Sequence, residues 1–145
     1  MKKLNKALKV LIAIYIIISF ASFSFAQESV GKQTIVKVII PAGASISAPV
    51  DIWGYRYITI FMPSAWTTAN ITFLSAPTFG GQTYASLYND LGTEVNITAA
   101  ASRTIAIDTN ALTLAGLRYI KIRSGTASTP VAQASERTIY LILKG

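Results

Sequence analysis

The sequence predicts an all-β protein, a β-sandwich of jelly-roll character with about eight strands, preceded by an apolar N-terminal segment. Three observations carry that reading. After the first 26 residues no segment sustains a 3.6-residue hydrophobic period; short β-branched and aromatic runs recur instead. Gly, Pro, Asn and Asp separate these runs at spacings of about 8–15 residues, the rhythm of strands joined by turns. The chain has 145 residues and no Cys, so a core or assembly has to hold it together without disulfides.

Residues 1–26 read as an export signal. Lys2, Lys3, Lys6 and Lys9 form a basic start with no acid beside them, and residues 10–21 are apolar apart from Ser19. Ser24 and Ala26 then stand at the −3 and −1 positions of a cut between Ala26 and Gln27. The apolar run is about 12 residues, short of the about 20 that span a bilayer, so cleavage is expected. An uncleaved anchor is the alternative, and a lipid-anchored form would need a Cys at the cut. Residues 27–33 are expected to be a flexible arm, and 34–145 one β-sandwich domain.

The domain is predicted run by run. Residues 34–40 (TIVKVII) end at Pro41. Residues 55–62 (YRYITIFM) place Ile58, Ile60 and Met62 on one face, opposite Tyr55, Tyr57, Thr59 and Phe61. Residues 70–75 (NITFLS) bring Ile71 and Phe73 together. A Gly80-Gly81 turn leads to 84–88 (YASLY), then 94–99 (EVNITA) and 103–107 (RTIAI), which meets a polar corner at Asp108-Thr109-Asn110. Residues 110–116 fit one helical turn. Residues 117–123 (LRYIKIR) turn Ile120 and Ile122 inward and Tyr119, Lys121 and Arg123 outward. The last run, 137–143 (RTIYLIL), is apolar on both faces and is expected to lie centrally in a sheet.

Composition excludes much chemistry. Without His or Cys there is no Ser-His-Asp or Cys-His nucleophile pair, no His/Cys zinc site and no thiol redox centre. No acid/base pair is visible, so no enzyme and no cofactor are expected. Of the net charge of +7, four units lie in the leader; beyond residue 26, nine basic residues face six acidic ones. Such a mild surplus lacks the dense basic patch of a nucleic-acid binder. Asp90, Glu94 and Asp108 sit near loop ends, but no D-x-[DN]-x-[DN]-G spacing supports calcium, and no metal site is predicted. Ser29-Val-Gly-Lys32 matches S-x-x-K formally, without the S-D-N or K-T-G that would give it meaning.

Two groups of residues are candidates for binding. Trp53, Tyr55, Tyr57 and Trp66 would make a stacking platform for sugar rings. Strand periodicity accounts equally for Tyr55 and Tyr57 as sheet-covering aromatics, and Trp66, in a turn-like stretch after Pro63, is expected to be the exposed one. Tyr119, Lys121 and Arg123 form a basic strand face suited to an acidic partner or an anionic glycan, or to solvation of an outward face.

From Pro63 onward specific wording accumulates: Pro63-Ser-Ala-Trp66-Thr-Thr-Ala69-Asn-Ile71-Thr-Phe73-Leu-Ser75, Gly80-Gly81, Tyr88, Gly92-Thr-Glu94-Val95, Ser102-Arg103, Asp108 and Ala115-Gly116-Leu117-Arg118. Arg123-Ser124-Gly125-Thr126, with Pro130-Val131, Gln133 and Arg137, is its most specific piece. This resembles a group of small proteins encoded by tailed phages and prophages among virion structural genes. The resemblance implies a compact β-sandwich used as a virion building or decoration part. An export leader departs from that pattern, since virion proteins are assembled in the cytoplasm. The expectation is a non-enzymatic exported part, in a particle, secreted or at the cell surface, that associates with itself or with other surface or virion proteins. Its membrane contact would be limited to an uncleaved leader. Loops rich in Ala, Ser and Thr suit subunit packing. The alternative expectation is a secreted carbohydrate-binding module.

Overall fold

The computed structural model describes residues 33–79, 83–107, 114 and 116–145. The leader and its cut, the arm except Gln33, the Ser29–Lys32 match, the Gly80-Gly81 turn, the Asp108 corner and most of the helical turn expected at 110–116 lie outside the described residues.

Among the described residues nine strands run in chain order: β1 (Gln33–Ile40), β2 (Val50–Asp51), β3 (Tyr57–Phe61), β4 (Ile71–Ala76), β5 (Ala85–Ser86), β6 (Asn96–Ile97), β7 (Thr104–Ile107), β8 (Tyr119–Ser124) and β9 (Arg137–Lys144). They form two antiparallel sheets. One has the order β1-β9-β3-β7; the other has the order β2-β8-β4-β5, with β6 also pairing β4. The expected all-β architecture holds. The final strand is central, between β1 and β3, as its apolar sequence suggests.

Alternation of side chains along each strand decides what enters the core. From the four-stranded sheet come Val38, Ile40, Ile58, Ile60, Ile107, Ile139, Leu141 and Leu143; from the other come Val50, Ile71, Phe73, Ile97, Ile120 and Ile122. All are buried in one cluster, and each aliphatic side chain so removed from water contributes about 2 kcal/mol. Tyr55 is half-buried against that cluster, and its hydroxyl bonds Thr34 Oγ1 at 2.6 Å.

The faces predicted from period-2 alternation are correct for 58–62, 71–73 and 120–122. Strand lengths differ at β5 and β6, which shrink to two residues each. Between them Leu87 bonds Phe73 and Val95 through the backbone, and Asn89 Oδ1 accepts from the N–H groups of Leu91 and Thr93, so the chain turns instead of extending.

Candidate functional site

The two sheets differ in how their outer faces are treated. On the four-stranded sheet, Ile35 stands opposite Ile142 and Ile142 opposite Thr59; one row further, Lys37 stands opposite Tyr140 and Tyr140 opposite Phe61. Ile35 is 63% exposed, Tyr57 61%, Tyr140 46% and Phe61 39%. Ile35, Phe61, Tyr140 and Ile142 line a shallow depression of about 330 Å³. Lys37 and Lys144 flank it, and none of the four strands contains an acidic residue. This is an exposed apolar row with a cationic margin.

The outer face of the other sheet is covered by the chain itself. Tyr119 meets the Phe79 ring at 5.4 Å and lies 5.0 Å from the Arg118 guanidinium. Lys121 Nζ sits 4.2 Å from the centre of the Tyr84 ring. Arg123 donates from Nη1 to Glu94 Oε1 at 3.0 Å and from Nη2 to Ser86 Oγ at 2.8 Å. The Glu94 carboxylate also accepts from the Ala127 N–H. Tyr119 and Arg123 are therefore buried, a correction to the solvent-facing strip expected from sequence. They point outward from their strand as predicted, but Phe79, Tyr84, Ser86 and Glu94 lie over them. The Tyr84 hydroxyl is buried with no hydrogen-bond partner among the described residues. Its burial, and secondarily Tyr119 nearby, push its pKa above the usual tyrosine value.

The four aromatics expected to share a platform separate. Trp66 is buried, with its indole N–H donating to the Ala69 carbonyl at 3.0 Å, whereas Trp53 is 66% exposed. The expected ranking of the two is thus reversed, because a bonded indole enters the core without leaving a polar atom unsatisfied. Tyr55 packs against the core. The backbone at Trp53 is held instead: its main-chain N–H donates to Asp51 Oδ1 at 2.9 Å, Asp51 lies opposite Tyr119 in the β2–β8 pairing, and Asp51 Oδ2 is 3.6 Å from Arg118 Nε. Asp51, Arg118, Tyr119 and Phe79 thus form one chain of contacts at this end of the sandwich, and the Trp53 ring stays exposed.

The most specific piece of the sequence pattern turns out to be structural. Gly125 has φ +87°, and a Cβ there would lie 2.4 Å from the Thr129 carbonyl oxygen and 2.7 Å from the Val131 nitrogen. Thr72 Oγ1 donates to the Gly125 carbonyl at 2.8 Å. Gln133, fully buried, donates to Ser124 Oγ at 2.7 Å and bonds both backbone groups of Thr67. These residues lock the β8–β9 connection onto the β3–β4 connection. Reasoning from the sequence missed Gly125, Gln133 and Glu94 as a framework, although the cluster of Arg, Ser, Gly and Gln within one short stretch was its visible signal. Among the described residues no group of three or more acidic side chains is placed to hold a metal, and no helix is long and apolar enough to cross a membrane.

No protein-family model matches the chain, and no curated protein matches it. Among solved structures it is similar to the crystal structure of the SPBc2 prophage-derived protein YomS, at 14% identity and a TM-score of 0.47, over 79% of this chain and 96% of that one.

Proposed function

We propose that the protein is a non-enzymatic, exported structural part that assembles with copies of itself, built as a jelly roll. The observation that carries this reading is the outer face of the four-stranded sheet, which no described residue covers at Ile35, Phe61, Tyr140 and Ile142, while the opposite sheet is roofed by its own chain. Assembly would remove that apolar area from water and leave Lys37 and Lys144 at its rim. The jelly-roll reading is supported by strand order. One sheet takes β1, β9, β3 and β7 and the other β2, β8, β4 and β5, so the chain crosses between sheets at each connection except within β4–β5–β6, as in two interlocked Greek keys with β6 as an addition.

Export is supported by the leader's composition, and the virion-part reading by the Arg-Ser-Gly-Thr pattern. The absence of His and Cys supports a role without catalysis. The test is fractionation of the native producer on a density gradient, with mass spectrometry of this chain's N-terminus. The reading expects sedimenting particles or surface assemblies containing a chain that starts at Gln27. A soluble monomer alone contradicts it.

A second reading rests on the other end of the molecule. Trp53 presents an exposed aromatic face of the kind that stacks on sugar rings, in a turn whose backbone is held by Asp51. A saccharide panel that quenches tryptophan fluorescence in the wild type, but not in Trp53→Phe, would favour a carbohydrate-binding module.

A further inference from the structure

The four-stranded sheet ends at β1, which among the described residues pairs with β9 on one side only. Natural edge strands are guarded by shortness, charge, proline or a bulge. The other edges conform: β7 has 4 residues, and β2 and β5 have 2 each. β1 has 8 residues, pairs with β9 in unbroken register, contains no Pro or Gly, and carries one charge, Lys37. It is a long template of backbone donors and acceptors adjoining the exposed apolar face.

We propose that β1 pairs antiparallel with β1 of a second copy about a two-fold axis at Val36, joining two four-stranded sheets into one continuous sheet. This rests on the self-assembly reading and adds an edge contact to it, the joined apolar faces staying free for the face contact proposed above. A two-fold contact is self-complementary: if one residue stands opposite another, the reverse pair forms as well. Keeping both apolar faces on the same side of the joined sheet requires outward residues to oppose outward residues. Four central axes satisfy this, at Ile35, Val36, Lys37 and Val38. An axis at Lys37 sets two ammonium groups directly opposite each other, which is destabilising. An axis at Ile35 pairs only residues 33–37, and one at Val38 only residues 36–40. The axis at Val36 pairs residues 33–39, sets Lys37 opposite Ile35 of the second copy with its stem against the aliphatic side chain, and sets Gln33 opposite Ile39. The row from Ile142 through Ile35 then continues across the joint to Lys37 and Tyr140 of the second copy.

The chain has no cysteine, so introduced thiols report without background. Full-length Ile35→Cys and Lys37→Cys proteins, both altered at exposed positions, are incubated with a mild oxidant separately and mixed. Directly opposed residues across an antiparallel pair have Cβ atoms about 4.5–5.5 Å apart, whereas the like pairs sit on diagonals of about 7–8 Å. The expected result is a disulfide-linked dimer in the mixture at several-fold the yield of either variant alone. Stronger linkage by Lys37→Cys alone, or no linkage in a mixture whose wild type sediments as a dimer, overturns the edge pairing and leaves self-assembly standing. A wild type that remains monomeric at every concentration overturns both.

Discussion

Gln133 and Thr67 lie 66 positions apart, yet the side-chain amide of Gln133 satisfies both backbone groups of Thr67, accepting from its N–H at 2.9 Å and donating to its carbonyl at 3.2 Å. Two connections are thereby fixed by one buried side chain, which also holds Ser124. Gln133→Leu keeps roughly the volume but strands these groups out of water, at a cost of about 3 kcal/mol. Urea denaturation should show a lower midpoint with an unchanged slope.

Gly125→Ala should be damaging for a different reason. The added Cβ would overlap the Thr129 carbonyl oxygen, a backbone atom unable to move aside cheaply, and would occupy a left-handed conformation. A loss of about 2–3 kcal/mol is expected, read from the same denaturation curve.

Arg123 and Glu94 form an ion pair whose side chains are 7% and 16% exposed. Arg123→Met leaves the Glu94 carboxylate largely desolvated and should cost about 3–5 kcal/mol. Combining it with Glu94→Leu should recover part of that loss, since no uncompensated charge then remains. Thermal unfolding of the single and double variants checks the order.

Trp53 and Trp66 give opposite expectations. Trp66→Ala removes a bonded, buried ring and should destabilise by about 3–5 kcal/mol. Trp53→Ala should leave stability within about 0.5 kcal/mol of wild type. Thermal unfolding with circular dichroism separates the two.

Tyr84 supplies an alkaline effect. Its folded pKa lies above the unfolded value, so the unfolded chain loses its proton first, and stability falls as pH rises past the ordinary tyrosine range near 10. Lys121 above the ring and Tyr119 nearby share that environment. Tyr84→Phe removes the contribution, so the stability difference between variant and wild type should widen in the variant's favour above that pH. Denaturation midpoints taken across the alkaline range measure it.

Strands that pair over four or more residues are legible in the sequence because alternation there must satisfy two sheets at once, as Ile58, Ile60 and Met62 do. β2 is invisible because two backbone-paired residues leave no period to detect. The outward direction of Tyr119 and Arg123 is legible, but their burial is not, since it depends on where Phe79, Tyr84, Ser86 and Glu94 return in space. Trp66 misleads because its depth depends on one hydrogen bond to Ala69. The open face follows simple alternation in β1, β3 and β9; that nothing in the described chain covers it is a property of the fold.

Sedimentation velocity of the full-length protein across a concentration series, beside Phe61→Lys/Tyr140→Lys, tests the self-assembling role most directly. Both changes lie on the exposed face, so the fold should persist by circular dichroism. The prediction is a wild type whose mass grows with concentration and a variant that goes no further than the dimer joined through β1. A wild type that remains monomeric throughout, or a variant that associates equally well, would contradict it.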